Sequence, residues 1–159
     1  MKRTILLLLA LVMCLSLCAC GGSEAKLATI VDNEGNTVQM SHDELQAIHD
    51  ENQIKFEKYY VGADITFVGT VQSIKTGIHA GTGVLYDICW DTIEFEEGWR
   101  ADVHHGSYDD ILAELSAGDK LKVESQIHDG FIYVEVSGCN TDGSRTVEDL
   151  KQTKLTIVE

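Results

Sequence analysis

The stretch of sequence that decides the fold lies between residues 65 and 74 and reads Ile65-Thr66-Phe67-Val68-Gly69-Thr70-Val71-Gln72-Ser73-Ile74. Apolar and polar side chains alternate through it, and a period of two is typical of a β-strand with one buried face. The run is long for a strand, and Gly69 stands in its middle, where a bend or a bulge fits. We therefore predict one long strand that bends near Gly69.

The residues that follow predict more strands and one short helix. Gly118 ends the helix, as glycine commonly does just after a helical segment. The pair Asp129-Gly130 is typical of a two-residue hairpin turn between two strands. The predicted strands are 84–91, 92–105 (interrupted at Glu96-Glu97-Gly98), 121–127 and 131–136, with the helix at 110–116.

Three strands, one helix and a final hairpin form the Greek-key order of an OB-fold, a five-stranded barrel with its helix between strands three and four. We therefore predict a mainly β (α+β) chain of this architecture; the alternative is a three-plus-two meander that does not close. Before the barrel, residues 28–40 predict a small hairpin. Ser41 and Glu44 form a capping box that opens an amphipathic helix reaching about Tyr59. In the tail, we expect a helical turn and then a strand-like segment at 155–158.

The N-terminal residues are typical of a processing segment. Lys2 and Arg3 precede the apolar run Ile5–Leu17, which is shorter than the about 20 residues that a membrane span needs. The run ends in Leu17-Cys18-Ala19-Cys20, and Gly21-Gly22-Ser23 follows. This junction resembles the lipobox of bacterial lipoproteins, in which the cysteine at the cleavage site carries lipid and becomes the first residue. The alternatives are an ordinary secretory signal and an uncleaved membrane anchor.

The lipobox interpretation predicts an extracytoplasmic protein, lipid-anchored to the bacterial cell membrane. Cys20 is the predicted lipidation site. The predicted organisation is a signal peptide at 1–19, a lipidated cysteine and tether at 20–27, an N-terminal hairpin and helix at 28–60, an OB-fold domain at 61–139 and a C-terminal tail at 140–159.

The composition excludes several classes of protein. The chain has 159 residues and a formal net charge of −14, with 44% hydrophobic and 24% charged residues. That balance excludes a disordered acidic tail and a multispan membrane protein. Cys14 and Cys18 leave with the predicted signal peptide, and Cys20 carries the predicted lipid. Cys89 and Cys139 then remain as a candidate disulfide pair, the alternative being two small buried hydrophobic residues.

Three segments of the chain resemble the tRNA anticodon-binding-like (tRNA_anti-like) family of OB-fold domains. They are residues 59–74, residues 118–123 (Gly118-Asp119-Lys120-Leu121-Lys122-Val123) and Gly138-Cys139-Asn140. The resemblance covers roughly residues 44–139, and it implies a fold common in bacterial lipoproteins. It implies no reaction and no catalytic residues. The chain departs from the family pattern at Glu124-Ser125, where a glycine is usual.

Several aromatic side chains are candidates for a ligand platform of the kind on which OB-folds stack bases. They are Tyr86, Trp90, Phe95, Trp99, Phe131 and Tyr133. We place the candidate ligand face at Tyr86, Trp90 and Trp99. Acidic residues surround Arg100, the only Lys or Arg between residues 84 and 105. A surface of that sign repels phosphates, so nucleic acid is not the expected partner.

A metal site is the other candidate on these strands. Asp102 and His104 lie two residues apart, hence on one strand face, and Glu94 or Glu96 opposes them across a hairpin. Oxygen and nitrogen ligands of this kind suit Zn²⁺ or Mn²⁺. The alternative is a solvated acidic face, because no ligand-spacing motif is present.

No motif for a nucleophile, a phosphate-binding loop or a catalytic zinc is present, so we expect no enzyme activity and no cofactor. We predict a non-catalytic binding or interaction module, attached to the membrane by lipid, whose partner is another envelope protein or an oligosaccharide. The alternative function is solute capture by a metal-binding lipoprotein through the acidic and histidine face.

Overall fold

The structure, a computed structural model, describes residues 27–79, 88–129, 133–140 and 145–158. The predicted signal peptide, Cys20, Tyr86, Gly130 and Phe131 lie outside these residues, as does the side chain of Cys89. The strands are β1 (Ala28–Val31), β2 (Thr37–Met40), β3 (Asp64–His79), β4 (Ile88–Phe95), β5 (Arg100–His104), β6 (Lys120–Asp129), β7 (Val134–Val136) and β8 (Lys154–Val158). The helices are α1 (His42–Glu51), α2 (Gln53–Tyr60), α3 (Asp109–Glu114) and α4 (Val147–Leu150).

Five strands close into a barrel in the order β3-β4-β5-β7-β6, because β6 pairs back onto β3. The pairs are antiparallel except β5–β7, which is parallel at Ala101 and Val136. Helix α3 lies between the third and fourth strands of the barrel. This is the OB-fold that the element order predicts, and the open meander is wrong.

The long strand β3 makes the closure possible. Its first part pairs with β6 from Asp64 to Thr70, and its second part pairs with β4 from Val71 to His79. The register shifts between Val71 and Ser73, which marks a β-bulge. The bulge therefore lies after Gly69 and not at it. A Cβ on Gly69 would lie 2.4 Å from the Phe95 ring, so the glycine makes room for a core aromatic side chain.

The boundary between the second and third barrel strands differs from the prediction. Residues 92–95 continue β4 instead of starting the next strand, and the chain reverses at Glu96-Glu97-Gly98. Gly98 has φ +90°, a conformation that side chains with a Cβ rarely adopt. Glu97 fixes the turn, because its carboxylate accepts hydrogen bonds from the Thr70 backbone amide at 2.8 Å and hydroxyl at 3.0 Å.

The N-terminal elements extend the barrel sheet. β1 pairs with β2 and with the start of β3. The capping box predicted at Ser41 and Glu44 is present. The single predicted helix is two helices, because Asn52 ends α1 in a non-helical conformation and its side chain then caps α2 through the Lys55 amide.

The C-terminal tail docks on the barrel. Its helix α4 and strand β8 fall close to the predicted helical turn and strand, and β8 pairs with β6. At Gly138 the backbone runs so close to α4 that a Cβ would lie 1.3 Å from the Asp149 carbonyl oxygen. No helix in the described part of the chain has the length and apolar character needed to cross a membrane.

Candidate functional site

The outer face of strands β4 and β5 carries the predicted metal ligands. Across this pair Trp90 faces His104, Thr92 faces Asp102, and Glu94 faces Arg100. The intervening side chains, including Ile93 and Phe95 on β4 and Ala101 and Val103 on β5, are buried in the hydrophobic core. Because strand side chains alternate between faces, the first set points away from the barrel core.

Two buried carboxylates on this face are paired with two arginines, and we call these four residues the acid–arginine cluster. Asp102 is fully buried, and Glu135 of β7 is 2% exposed. Arg145 of the tail bonds to Asp102, and its Nη2 lies 3.2 Å from Glu135 Oε1. The Arg100 Nε lies 3.6 Å from a carboxylate oxygen of each acid. The tail thus contributes one of the two cations that balance the buried acids.

Burial shifts two titrating groups at this cluster. Desolvation, followed by the nearby Asp102 carboxylate, raises the pKa of Glu135 to about 7, although Arg145 and Arg100 act in the opposite direction. Desolvation and then Arg145 lower the pKa of the neighbouring His128 to about 4. His128 is therefore uncharged at neutral pH, and Glu135 titrates near pH 7.

The three predicted metal ligands share a face but do not form a ligand set. Asp102 is paired with Arg145 and also accepts a hydrogen bond from Thr92 at 2.6 Å. Glu94 binds Lys75 at 2.7 Å. The Nδ1 of His104 lies 3.1 Å from the Ser107 hydroxyl. Protein cations and donors thus already occupy the carboxylates that the metal interpretation requires.

A different group of potential ligands comes together at the end of β5. Ligand atoms of Asp91, His105 and Asp109 all lie within 4.8 Å of one another, the only such group in the described ranges. Asp91 is 4% exposed and accepts from the Thr76 hydroxyl at 2.8 Å, with His105 Nδ1 at 3.0 Å. His105 follows the last residue of β5, so strand alternation does not predict where its side chain lies.

The aromatic face is arranged differently from the prediction. Trp90 is partly buried, and the Arg145 Cζ lies 5.4 Å from the centroid of its ring. Trp99 is 1% exposed, and its ring stacks on Phe67 with the ring centroids 5.2 Å apart, so it packs in the core and is not an exposed platform. The reason is alternation: Trp99 stands two residues before Ala101 and shares its inward face. Among the described aromatic residues of the predicted platform, Tyr133 is exposed, at 39%.

A cleft of about 440 Å³ opens beside Tyr133, and we call it the Tyr133 cleft. Its lining includes Gln72, Glu94, Trp99, Arg100 and Tyr133. Gln72 lies at the β-bulge of β3, which re-aims its side chain relative to its neighbours. The sequence does not single out Gln72, because a bulge depends on the register between strands and not on a local pattern.

The candidate disulfide stays a prediction. Cys139 is buried, and its Sγ lies 3.1 Å from the Ile127 carbonyl oxygen. The side chain of Cys89 is outside the described part of the chain.

The closed five-strand barrel, with its helix between the third and fourth strands, defines an OB-fold protein. The model of the tRNA_anti-like family matches residues 1–136, and the chain belongs to that family. Neither a curated protein nor a solved structure matches the chain.

Proposed function

We propose that this protein is an extracytoplasmic lipoprotein, attached to the bacterial cell membrane by lipid on Cys20, whose OB-fold is a non-catalytic binding module. The observation that carries the proposal is the junction Leu17-Cys18-Ala19-Cys20, followed by a Gly/Ser tether. Small residues before a cysteine suit a cleavage site, and lipid on that cysteine, together with a second acyl chain, gives stable anchoring without a membrane-spanning helix. The partner we propose is another envelope protein or an oligosaccharide.

The charge distribution on the outer face supports a partner other than nucleic acid. Arg100 and Arg145 are engaged by the buried carboxylates of the acid–arginine cluster. Lys75 is engaged by Glu94. Binding to a phosphate backbone gains its free energy from neutralising phosphates with available cations. On this face, such contacts would first have to break existing ion pairs.

The placement of the titrating groups supports a binding role rather than catalysis. Glu135 has the raised pKa that a general acid or base often has. Glu135 is 2% exposed and is paired with Arg145 of the docked tail. A general acid or base must reach the reacting proton directly or through one water molecule. The burial of Glu135 favours a structural role for its charge.

Fatty-acid labelling tests the anchor. In cells supplied with a tagged fatty acid, the unaltered chain and Cys18→Ala should be labelled and recovered with membranes. Cys20→Ala should lose both the label and the membrane association, because the thiol that accepts the lipid is gone. Cys18→Ala is the matched control, since it removes a neighbouring thiol and keeps a small residue at the junction. Labelling of Cys20→Ala would contradict the proposal.

A further inference from the structure

We propose that the Tyr133 cleft binds a sugar residue of an uncharged oligosaccharide. The inference rests on the proposed binding role and names the ligand class. It starts from three observations on the described residues: an exposed aromatic ring held in place, polar groups of both hydrogen-bonding kinds, and charges that are already balanced.

Tyr133 supplies a flat apolar surface of fixed orientation. The Arg100 guanidinium lies 4.9 Å from the centre of its ring, and Arg100 Nη1 bonds to the Tyr133 hydroxyl. The residue nevertheless remains 39% exposed. A rigid aromatic ring that combines an apolar face with a polar edge gives a large contact area at a low cost in conformational entropy. The C–H face of a sugar ring is a flat apolar surface that fits such a platform.

The polar lining suits hydroxyl groups. Gln72 is exposed at the bulge, and its amide has no hydrogen-bond partner in the described part of the chain. An amide both donates and accepts, and so does a hydroxyl group. Glu94 adds carboxylate oxygens, and the pairing with Lys75 and then Ser73 lowers its pKa, so that it accepts hydrogen bonds at neutral pH. The donors of Arg100 complete a set that a polyol matches.

The charge balance of the lining selects a neutral ligand. Glu94 is compensated by Lys75, and Arg100 is compensated by the two acids of the acid–arginine cluster. An anionic or cationic ligand would gain little attraction and would compete with these pairs. A volume of about 440 Å³ lies within the range of small-molecule sites. Because the cleft is open, a longer sugar chain can extend beyond it.

Isothermal titration calorimetry with the full-length chain tests the inference. The chain is kept in a detergent whose headgroup is not a sugar, so that the detergent does not compete with the probes. The probes are the neutral trisaccharides maltotriose, cellotriose and chitotriose, with trigalacturonic acid as a charged comparison. We expect at least one neutral trisaccharide to bind with a millimolar or lower dissociation constant, more tightly than the acid. Binding of none of the three, or tighter binding of the acid, overturns the proposal.

Variants locate the site. Tyr133→Ala should weaken binding by about tenfold or more, whereas Tyr133→Phe, which keeps the ring, should stay within about threefold. Gln72→Ala, an exposed substitution that leaves the core intact, should weaken binding by about threefold to tenfold. Tyr59→Ala is the matched control, because Tyr59 also lies under a cation, Lys58 at 4.5 Å, but outside the cleft. Equal affinities for Tyr133→Ala and Tyr59→Ala overturn the assignment.

The labelling and calorimetry experiments together separate the sugar assignment from the proposed function. Conversion of a trisaccharide to smaller sugars would contradict the non-catalytic role, whatever its affinity. Absence of the fatty-acid label from the unaltered chain would contradict the lipid anchor alone. Failure of all three neutral sugars to bind, with the lipid label retained and no sugar converted, would contradict only the sugar assignment.

Discussion

Arg145 of the C-terminal tail pairs with the fully buried carboxylate of Asp102, a residue that lies 43 positions earlier on β5. The pair joins the tail to the outer face of the barrel. A buried charge is costly unless an opposite charge and hydrogen bonds compensate it. The tail therefore forms part of the electrostatic structure of the barrel.

Removal of Arg145 should destabilise the whole domain. In Arg145→Ala, Asp102 and Glu135 stay buried and share only Arg100, so the free energy of unfolding should fall by about 3 kcal/mol. Urea denaturation followed by circular dichroism measures the change. Lys151→Ala is the control: its pair with Glu148 lies on the surface of the same tail, and its loss should cost less than about 1 kcal/mol. Similar values for the two variants would contradict a buried, energetically coupled cluster.

The dependence of stability on pH should reveal two opposing groups. The pKa of Glu135 is about 7, above its ordinary value of 4.5, so its contribution to stability is lost as the pH rises from about 4.5 to 7. The pKa of His128 is about 4, below its ordinary value of 6.5, so its contribution increases as the pH rises from about 4 to 6.5. Between pH 4.5 and 6.5 the two effects oppose each other in the unaltered chain.

Single variants should separate these effects. Relative to the unaltered chain, His128→Gln should make stability fall by about 1 kcal/mol per pH unit between pH 4.5 and 6.5, because the opposing histidine is gone. Glu135→Gln should make stability rise with pH over the same window. Urea midpoints measured at several pH values give both slopes. If stability changes with pH in the same way in both variants, then Glu135 and His128 are not the groups whose shifted pKa values control it.

Close packing at Gly138 should make this position intolerant of a side chain. In Gly138→Ala the added carbon meets the Asp149 carbonyl oxygen of α4. Helix α4 must therefore move, and the free energy of unfolding should fall by about 1–3 kcal/mol. Amide hydrogen exchange should show faster exchange in the tail than in the unaltered chain. Gly106→Ala tests the backbone alone, because Gly106 has φ +83° with nothing within 4 Å of the added carbon. If the tail amides of Gly138→Ala exchange no faster than those of Gly106→Ala, the close packing of the tail against Gly138 is contradicted.

Single-stranded nucleic acid should not bind appreciably. We expect no saturable binding of a fluorescent oligothymidylate at physiological ionic strength, because the cations of the outer face are paired with acids. Fluorescence anisotropy over a series of salt concentrations measures it. A dissociation constant below about 1 µM that weakens steeply with salt would show that another face of the barrel carries accessible cations.

Local patterns in the sequence are sufficient for most of the fold. The alternation from Ile65 to Ile74 predicts the long first strand, and the order of strands and helix predicts the OB-fold. The capping box at Ser41 and Glu44 predicts the start of α1. These features depend on residues close together in the chain, whose spacing sets the period of side chains and the partners of helix ends.

The candidate site depended on contacts that no local pattern contains. Trp99 is a core residue because the reversal at Glu96–Gly98 sets the phase of β5, and a shift of one residue exchanges the two faces of a strand. Tyr133, which stands just before β7, is exposed. Asp102 is suitable as a metal ligand by its type and spacing, but the fold brings Arg145 to it from the tail. The sequence by itself determined the barrel, through residues that are neighbours along the chain. The tertiary structure decided which charges are balanced and which aromatic ring meets solvent, because both depend on residues that only folding brings together.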